Sequence, residues 1–168
     1  MTLDIRGSLK NTRISKNPLV VVDELLANSI DAFLIRKRDE ADAVALEVTL
    51  KVKATKADLL GEVFELEITC EDNGCGLGPE QRNAFLTKDT SYKDDLNIPG
   101  IGKCKGTGRV QFFHHFTAVS LSSTYREGDG FKHVSLPFLR DRKTIEETDF
   151  TVEDRDTGEV GTQIRLSH

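Results

Sequence analysis

The stretch DELLANSIDAFL, residues 23–34, has the apolar spacing of a helix yet sets Asn28 between two acids, Glu24 and Asp31. Asn17 and Pro18 supply a start signal, and Val22, Leu25, Leu26, Ser29, Ile30, Phe33 and Leu34 recur at helical spacing, which predicts one core-facing side. An advance of about 100° per residue gathers Glu24, Asn28 and Asp31 on the opposite side as one polar stripe. Such a stripe is ordinarily a solvated face. Asparagine has poor helix propensity, however, and an exposed position is more readily filled by Lys, Glu or Gln. The competing reading is that the stripe presents oxygens to a ligand, and the rest of the chain must decide between the two.

A chain of 168 residues with 38% hydrophobic content suits a single domain with a substantial core. Its 23 basic and 28 acidic residues leave a net charge of −5, which does not make the broad cationic field of a nucleic-acid grip. Cys70, Cys75 and Cys104 form neither an even disulfide set nor a paired zinc spacing, and the N-terminus lacks a signal-peptide apolar run. No apolar stretch approaches the roughly 18 residues that span a bilayer. The expectation is a cytoplasmic protein without a membrane segment. His114 and His115 are adjacent on a helix and point in different directions, which disfavours a metal pair.

Two alternating runs, AVALEVTLKVK at 43–53 and EVFELEITCE at 62–71, predict paired antiparallel strands. The second leads into DNGCGLG at 72–78, where Gly74, Gly76 and Gly78 let the backbone turn and approach a ligand. Asp-Asn-Gly is also a common turn, but three alternate glycines exceed what a turn requires. Pro79 opens a short helix through Leu86. A polar loop follows, then Gly100, Gly102, Gly106 and Gly108 precede an apolar helix, an arrangement that suits an anion. There is no GxxxxGK[ST] and no GxGxxG after a strand, so a P-loop or dinucleotide site is disfavoured. FTAVSLSSTY and FKHVSLPF flank REGDG as a hairpin, EVGTQIRLS reads as a final strand, and residues 139–159 read as a polar excursion. The expected class is an α/β sandwich, an α+β fold with helices on one face of a mixed, largely antiparallel sheet.

Together these segments resemble the Bergerat-fold ATPases, the superfamily of Hsp90, MutL, DNA gyrase B and the histidine kinases, over roughly residues 18–167. ELLANSIDA at 24–32 resembles the N box, DNGCGLG at 72–78 the G1 box, KGTGR at 105–109 the G2 box and GTQI at 161–164 the last box, with residues 87–105 as the lid. The lysine-rich GKCKGTGR departs from the Hsp90 form and is similar to bacterial Hsp90-like ATP-binding proteins.

The resemblance implies an ATP site. In it Asn28 gives its oxygen to Mg²⁺, Glu24 orients or deprotonates the attacking water, and Asp72 accepts from the adenine amino group beside Gly74 and Gly76. Thr162 helps hold the adenine. Gly106, Thr107 and Gly108 contact phosphates with help from Lys105 and Arg109, and Asp31 is either structural or touches the nucleotide through water. The implied function is Mg²⁺-dependent ATP binding and slow hydrolysis driving a larger protein, of which this chain is the N-terminal part. Further domains of that protein and an ATP-dependent homodimer are the expected partners. A non-hydrolysing sensor and a histidine-kinase catalytic domain are the alternatives, the latter disfavoured by Glu24.

Overall fold

The computed structural model describes residues 1–40, 45–61, 63–87, 90–102, 108–139 and 142–168. In chain order these form β1 (Thr2–Asp4), α1 (Ile5–Asn11), α2 (Val20–Asp39), β2 (Val48–Lys56), β3 (Phe64–Asp72), α3 (Pro79–Leu86) and α4 (Tyr92–Asp95). There follow α5 (Val110–His115), β4 (Ala118–Glu127), β5 (Gly130–Leu139), β6 (Thr144–Glu146), a 3-10 turn (Glu147–Asp149), β7 (Thr151–Arg155) and β8 (Gly161–Ser167). Six strands make one sheet in the order β2-β3-β8-β4-β5-β7, and β1 pairs with β6 beside it. Every pairing among the described residues is antiparallel. Among the same residues, no helix is long and apolar enough to cross a membrane.

The period of two along each strand builds the core. Ile68 and Cys70 of β3, Leu166 of β8, Val119 and Leu121 of β4 and Val134 and Leu136 of β5 share one buried cluster with Leu25 of α2 and Phe112 and Phe113 of α5. The helices thus cover one face of the sheet. Register places Cys70 beside Ile164 and Ile164 beside Leu121. Two residues along each strand, the same face carries Asp72 beside Thr162 and Thr162 beside Ser123. A polar row therefore borders the apolar core.

The two predicted strands form with shifted limits, and the REGDG hairpin closes between the paired Glu127 and Gly130, with Gly128 at φ 60°. Three expectations are corrected. Helix α2 starts at Val20, not at Pro18, because the Asn17 side-chain oxygen accepts from Leu19 N–H ahead of the first turn and its amide donates to Asp23. It also buries a different side: Val21, Leu25, Ser29, Asp31 and Ile35 are buried, whereas Leu26 and Ile30 are 36% and 45% exposed. The inward arc is turned by roughly a third of a revolution from the expected one, since apolar residues occur on both sides of this helix and weaken its periodic signal. Glu24, Asn28 and Asp31 fall beside the buried seam, not opposite it.

The polar excursion at 139–159 contains β6, the 3-10 turn and β7; β7 is exposed along its whole length as an edge strand, which removes alternation. Residues 2–11 add a strand and a helix that no periodic pattern announces; Leu3, Ile5 and Ser8 are buried there, too few to mark a period.

Beyond the Ile68–Leu166 pair, β2 and β3 continue as a two-stranded ribbon with Val52 and Phe64 exposed. Leu166→Ala, at a fully buried position, should cost about 2–5 kcal/mol. Leu60→Ser, at an 82% exposed position near the ribbon's end, should change stability by no more than about 0.5 kcal/mol. Urea denaturation of both variants checks the pair, and equal losses would contradict this placement of the core.

Candidate functional site

The turn after β3 is held from several directions. Asn73 clamps the chain before β2, its side-chain oxygen accepting from Glu47 N–H at 2.9 Å and its amide donating to Ala45 O at 2.8 Å. Arg36 of α2 donates to Asn73 O at 2.8 Å, and Cys75 N–H donates to Ala32 O at 3.0 Å. Gly76 sits at φ 74°, and a Cβ there would collide with the carbonyl of Thr124, so both conformation and space call for glycine.

These restraints aim Asp72 into a cavity of about 420 Å³ between α2, α3 and the sheet. That volume lies in the ordinary range of small-molecule sites. One Asp72 oxygen accepts from Gly74 N–H at 2.8 Å, the other from the Ser29 hydroxyl at 3.1 Å, and Thr162 N–H also reaches the carboxylate. Burial nevertheless pushes the Asp72 carboxyl above its ordinary value, with the three donors opposing the rise. Below it, Ser123 accepts from Leu77 N–H at 2.9 Å, donates to Gly161 O at 2.8 Å and lies 2.9 Å from the Thr162 hydroxyl. The polar row is therefore one connected network at the cavity floor.

Glu24, Asn28 and Asp31 line the same cavity, as do Gly76, Gly108, Arg109 and Thr162. A Cβ on Gly108 would overlap the Glu24 carboxylate, so the glycine leaves that carboxylate room beside the start of α5. Gly74 contributes through its N–H to Asp72. Arg109 donates to Thr87 O at 2.8 Å and lies 5.4 Å from the Phe85 ring centroid, which ties the cavity wall to the end of α3. Lys105, Gly106 and Thr107 lie outside the described residues.

Three participants carry no site signal in the sequence. Ser29 was assigned to packing, yet its hydroxyl is a partner of Asp72. Ser123 lies in an alternating strand where nothing distinguishes it from Ser120 or Ser122. Lys93 donates to Asp31 Oδ2 at 2.6 Å and to Asn28 Oδ1 at 3.0 Å, a contact no local pattern announces. Cys70 and Cys75 line the cavity without a disulfide. Burial, with the nearby Asp72 charge, pushes the Cys75 thiol to about 12, so it stays protonated and weakly nucleophilic at neutral pH.

Comparison by sequence with family models and with curated proteins finds no match. Solved structures do match. The ATPase region of Saccharomyces cerevisiae topoisomerase II aligns at TM-score 0.56 and 14% identity over 87% of this chain and 36% of its own. The same region bound to ICRF-187 (dexrazoxane) gives TM-score 0.56 and 14% identity over 88% and 37%. The chain has the fold of the topoisomerase II ATPase region. The N-terminal domain of a DNA repair protein aligns at TM-score 0.51 and 18% identity, covering 97% of this chain and 38% of that one. The chain thus spans well under half of each neighbour's length.

Because the folded-state value of Asp72 lies above that of the unfolded chain, its contribution to stability is fullest below about pH 3.9 and is lost as pH rises through the raised value. Asp72→Asn keeps an oxygen for Gly74 N–H and offers an amide to Ser29, whose hydroxyl can then donate to Leu25 O. The variant should lose less stability than wild type between about pH 4 and pH 7. Thermal unfolding across that range checks it, and a steeper decline in the variant would contradict the assignment.

Proposed function

We propose that the cavity binds ATP with Mg²⁺ and hydrolyses it slowly, the domain serving as a nucleotide-driven conformational module. The observation that carries this reading is the half-buried Asp72 carboxylate, braced by Ser29, Gly74 and Thr162 at one end of a cavity whose walls also include Glu24 and Asn28. A carboxylate accepts from the adenine amino group and is repelled by the guanine carbonyl at the same ring position, so Asp72 selects adenine. The Thr162 hydroxyl completes the polar row beside it.

Asn28 and Asp31 already hold a cation between their oxygens, the Lys93 ammonium, so this donor pair suits a hard ion. Among the described residues no cluster of three or more His, Cys, Asp or Glu could cage a metal alone, which fits an ion shared with substrate phosphates. Asn28 would hold Mg²⁺, which supplies charge neutralisation at the transferred phosphoryl group. Glu24, one turn earlier on α2, orients or deprotonates the attacking water. Gly108 keeps the backbone of the following segment against that carboxylate. Lys105, Gly106 and Thr107 are assigned to the phosphates on the sequence alone. Arg109 is assigned to the same wall, and further domains and an ATP-dependent dimer belong to the proposal as well.

Calorimetric titration should show Mg²⁺-dependent binding of ATP and much weaker binding of GTP. Asp72→Asn should weaken ATP binding by about 1–3 kcal/mol, or roughly 5- to 150-fold. Glu24→Ala should retain binding and lose phosphate release. Equal affinity for ATP and GTP would overturn the Asp72 assignment, and undiminished turnover in Glu24→Ala would remove that residue from the chemistry. Binding without phosphate release in wild type would favour the sensor alternative.

A further inference from the structure

The contact of Lys93 with α2 joins two parts of the molecule that the ATP reading treats separately. Lys93 lies in α4, at the start of the described segment 90–102, and its ammonium contacts both Asn28 Oδ1 and Asp31 Oδ2. At the other end of that segment, Gly102 N–H donates to Asp31 Oδ1 at 2.9 Å. Both carboxylate oxygens of Asp31 are therefore engaged, one by each end of the segment. Asp31 is only 5% exposed, and the Lys93 side chain is 22% exposed. An ion pair this shielded is screened less by salt than a surface pair. Tyr92 adds a further tie, accepting from the Gln81 amide at 2.8 Å.

We propose that Lys93 is a latch: the oxygen pair its ammonium contacts is the pair that would receive the divalent cation, and through Asp31 it holds segment 90–102 against α2. The inference rests on the ATP reading for its second half only. An ammonium and a divalent cation sharing Asn28 Oδ1 would stand within a few ångströms of each other and repel. Loading of the metal–nucleotide pair thus requires Lys93 to leave Asn28, and its release from Asp31 as well frees one of the two ties that the segment makes to that carboxylate. The Gly102 tie to Asp31 does not compete for Asn28 and can persist, as can the Tyr92 tie to Gln81, so the segment loosens from α2 without detaching. Lys93 is a positioning residue in this account. Asp31 is the anchor for both ends, which gives this member of the polar stripe a role distinct from its neighbours.

Two measurements on the intact chain test it. The first is hydrogen exchange of peptides covering 92–102 without any ligand, comparing wild type with Lys93→Met, which keeps the aliphatic stem and removes the charge, and with Asp31→Asn. Protection should fall in both variants, while peptides from β8 stay unchanged. The second is the Mg²⁺ concentration that half-saturates binding of a fluorescent ATP analogue. If the latched state is about nine-tenths populated, Lys93→Met should lower that concentration about tenfold. Unchanged exchange in both variants overturns the latch. Reduced protection with an unchanged Mg²⁺ requirement overturns the competition with the cation. Failure of wild type to bind the nucleotide at any Mg²⁺ concentration would refute the ATP reading and the competition with it, while the ligand-free exchange still decides whether Lys93 tethers the segment.

Discussion

A half-buried carboxylate at the border of the apolar core is the constraint around which this domain is arranged. Asp72 sits at the end of β3, where the helix-facing side of the sheet changes from Cys70, Ile164 and Leu121 to Asp72, Thr162 and Ser123. A charge in that place is tolerated only with donors on hand, and they come from three elements: Ser29 of α2, Gly74 of the turn and Thr162 of β8. The requirement explains why the turn is so heavily braced, by Asn73, Arg36 and the Cys75 N–H together. Even with those donors, burial keeps the Asp72 carboxyl above its ordinary value. The site therefore holds a group that is less stable charged than it would be in water, an arrangement found where a ligand supplies the missing partner.

The second organising element is the polar stripe of α2. Its register relative to the sheet brings Glu24, Asn28 and Asp31 to the cavity wall, where Asn28 and Asp31 share the Lys93 ammonium. Glu24 lies against Gly108, Asn28 faces the Lys93 ammonium, and Asp31 joins the two ends of segment 90–102. One helix face thus connects the start of α5 and the covering segment. Any rotation of α2 would disturb both at once.

Much of this was legible in the sequence because short-range signals carry it. The alternation in β2 and β3, the REGDG turn and the alternate glycines after Asp72 each express a local backbone demand, and the antiparallel sheet with helices on one face followed from them. The inward side of α2 was misplaced because Leu26 and Ile30 look like core residues and are exposed, while Asp31 looks like surface and is buried. Ser123 and Lys93 were not legible at all: Ser123 matters through cross-strand register with Thr162, and Lys93 through a contact spanning more than sixty positions. Edge strand β7, exposed on both sides, had no pattern to read.

In the proposed complex Asp72 meets the base while Glu24 and Asn28 meet the phosphates. A crystal structure with Mg²⁺ and a non-hydrolysable ATP analogue tests that polarity most directly. It should place the adenine amino group within hydrogen-bonding distance of the Asp72 carboxylate, the phosphates beside Asn28 and Gly108, and the Lys93 ammonium away from Asn28. Adenine bound at the Glu24 end, or a nucleotide seated outside this cavity, would contradict it.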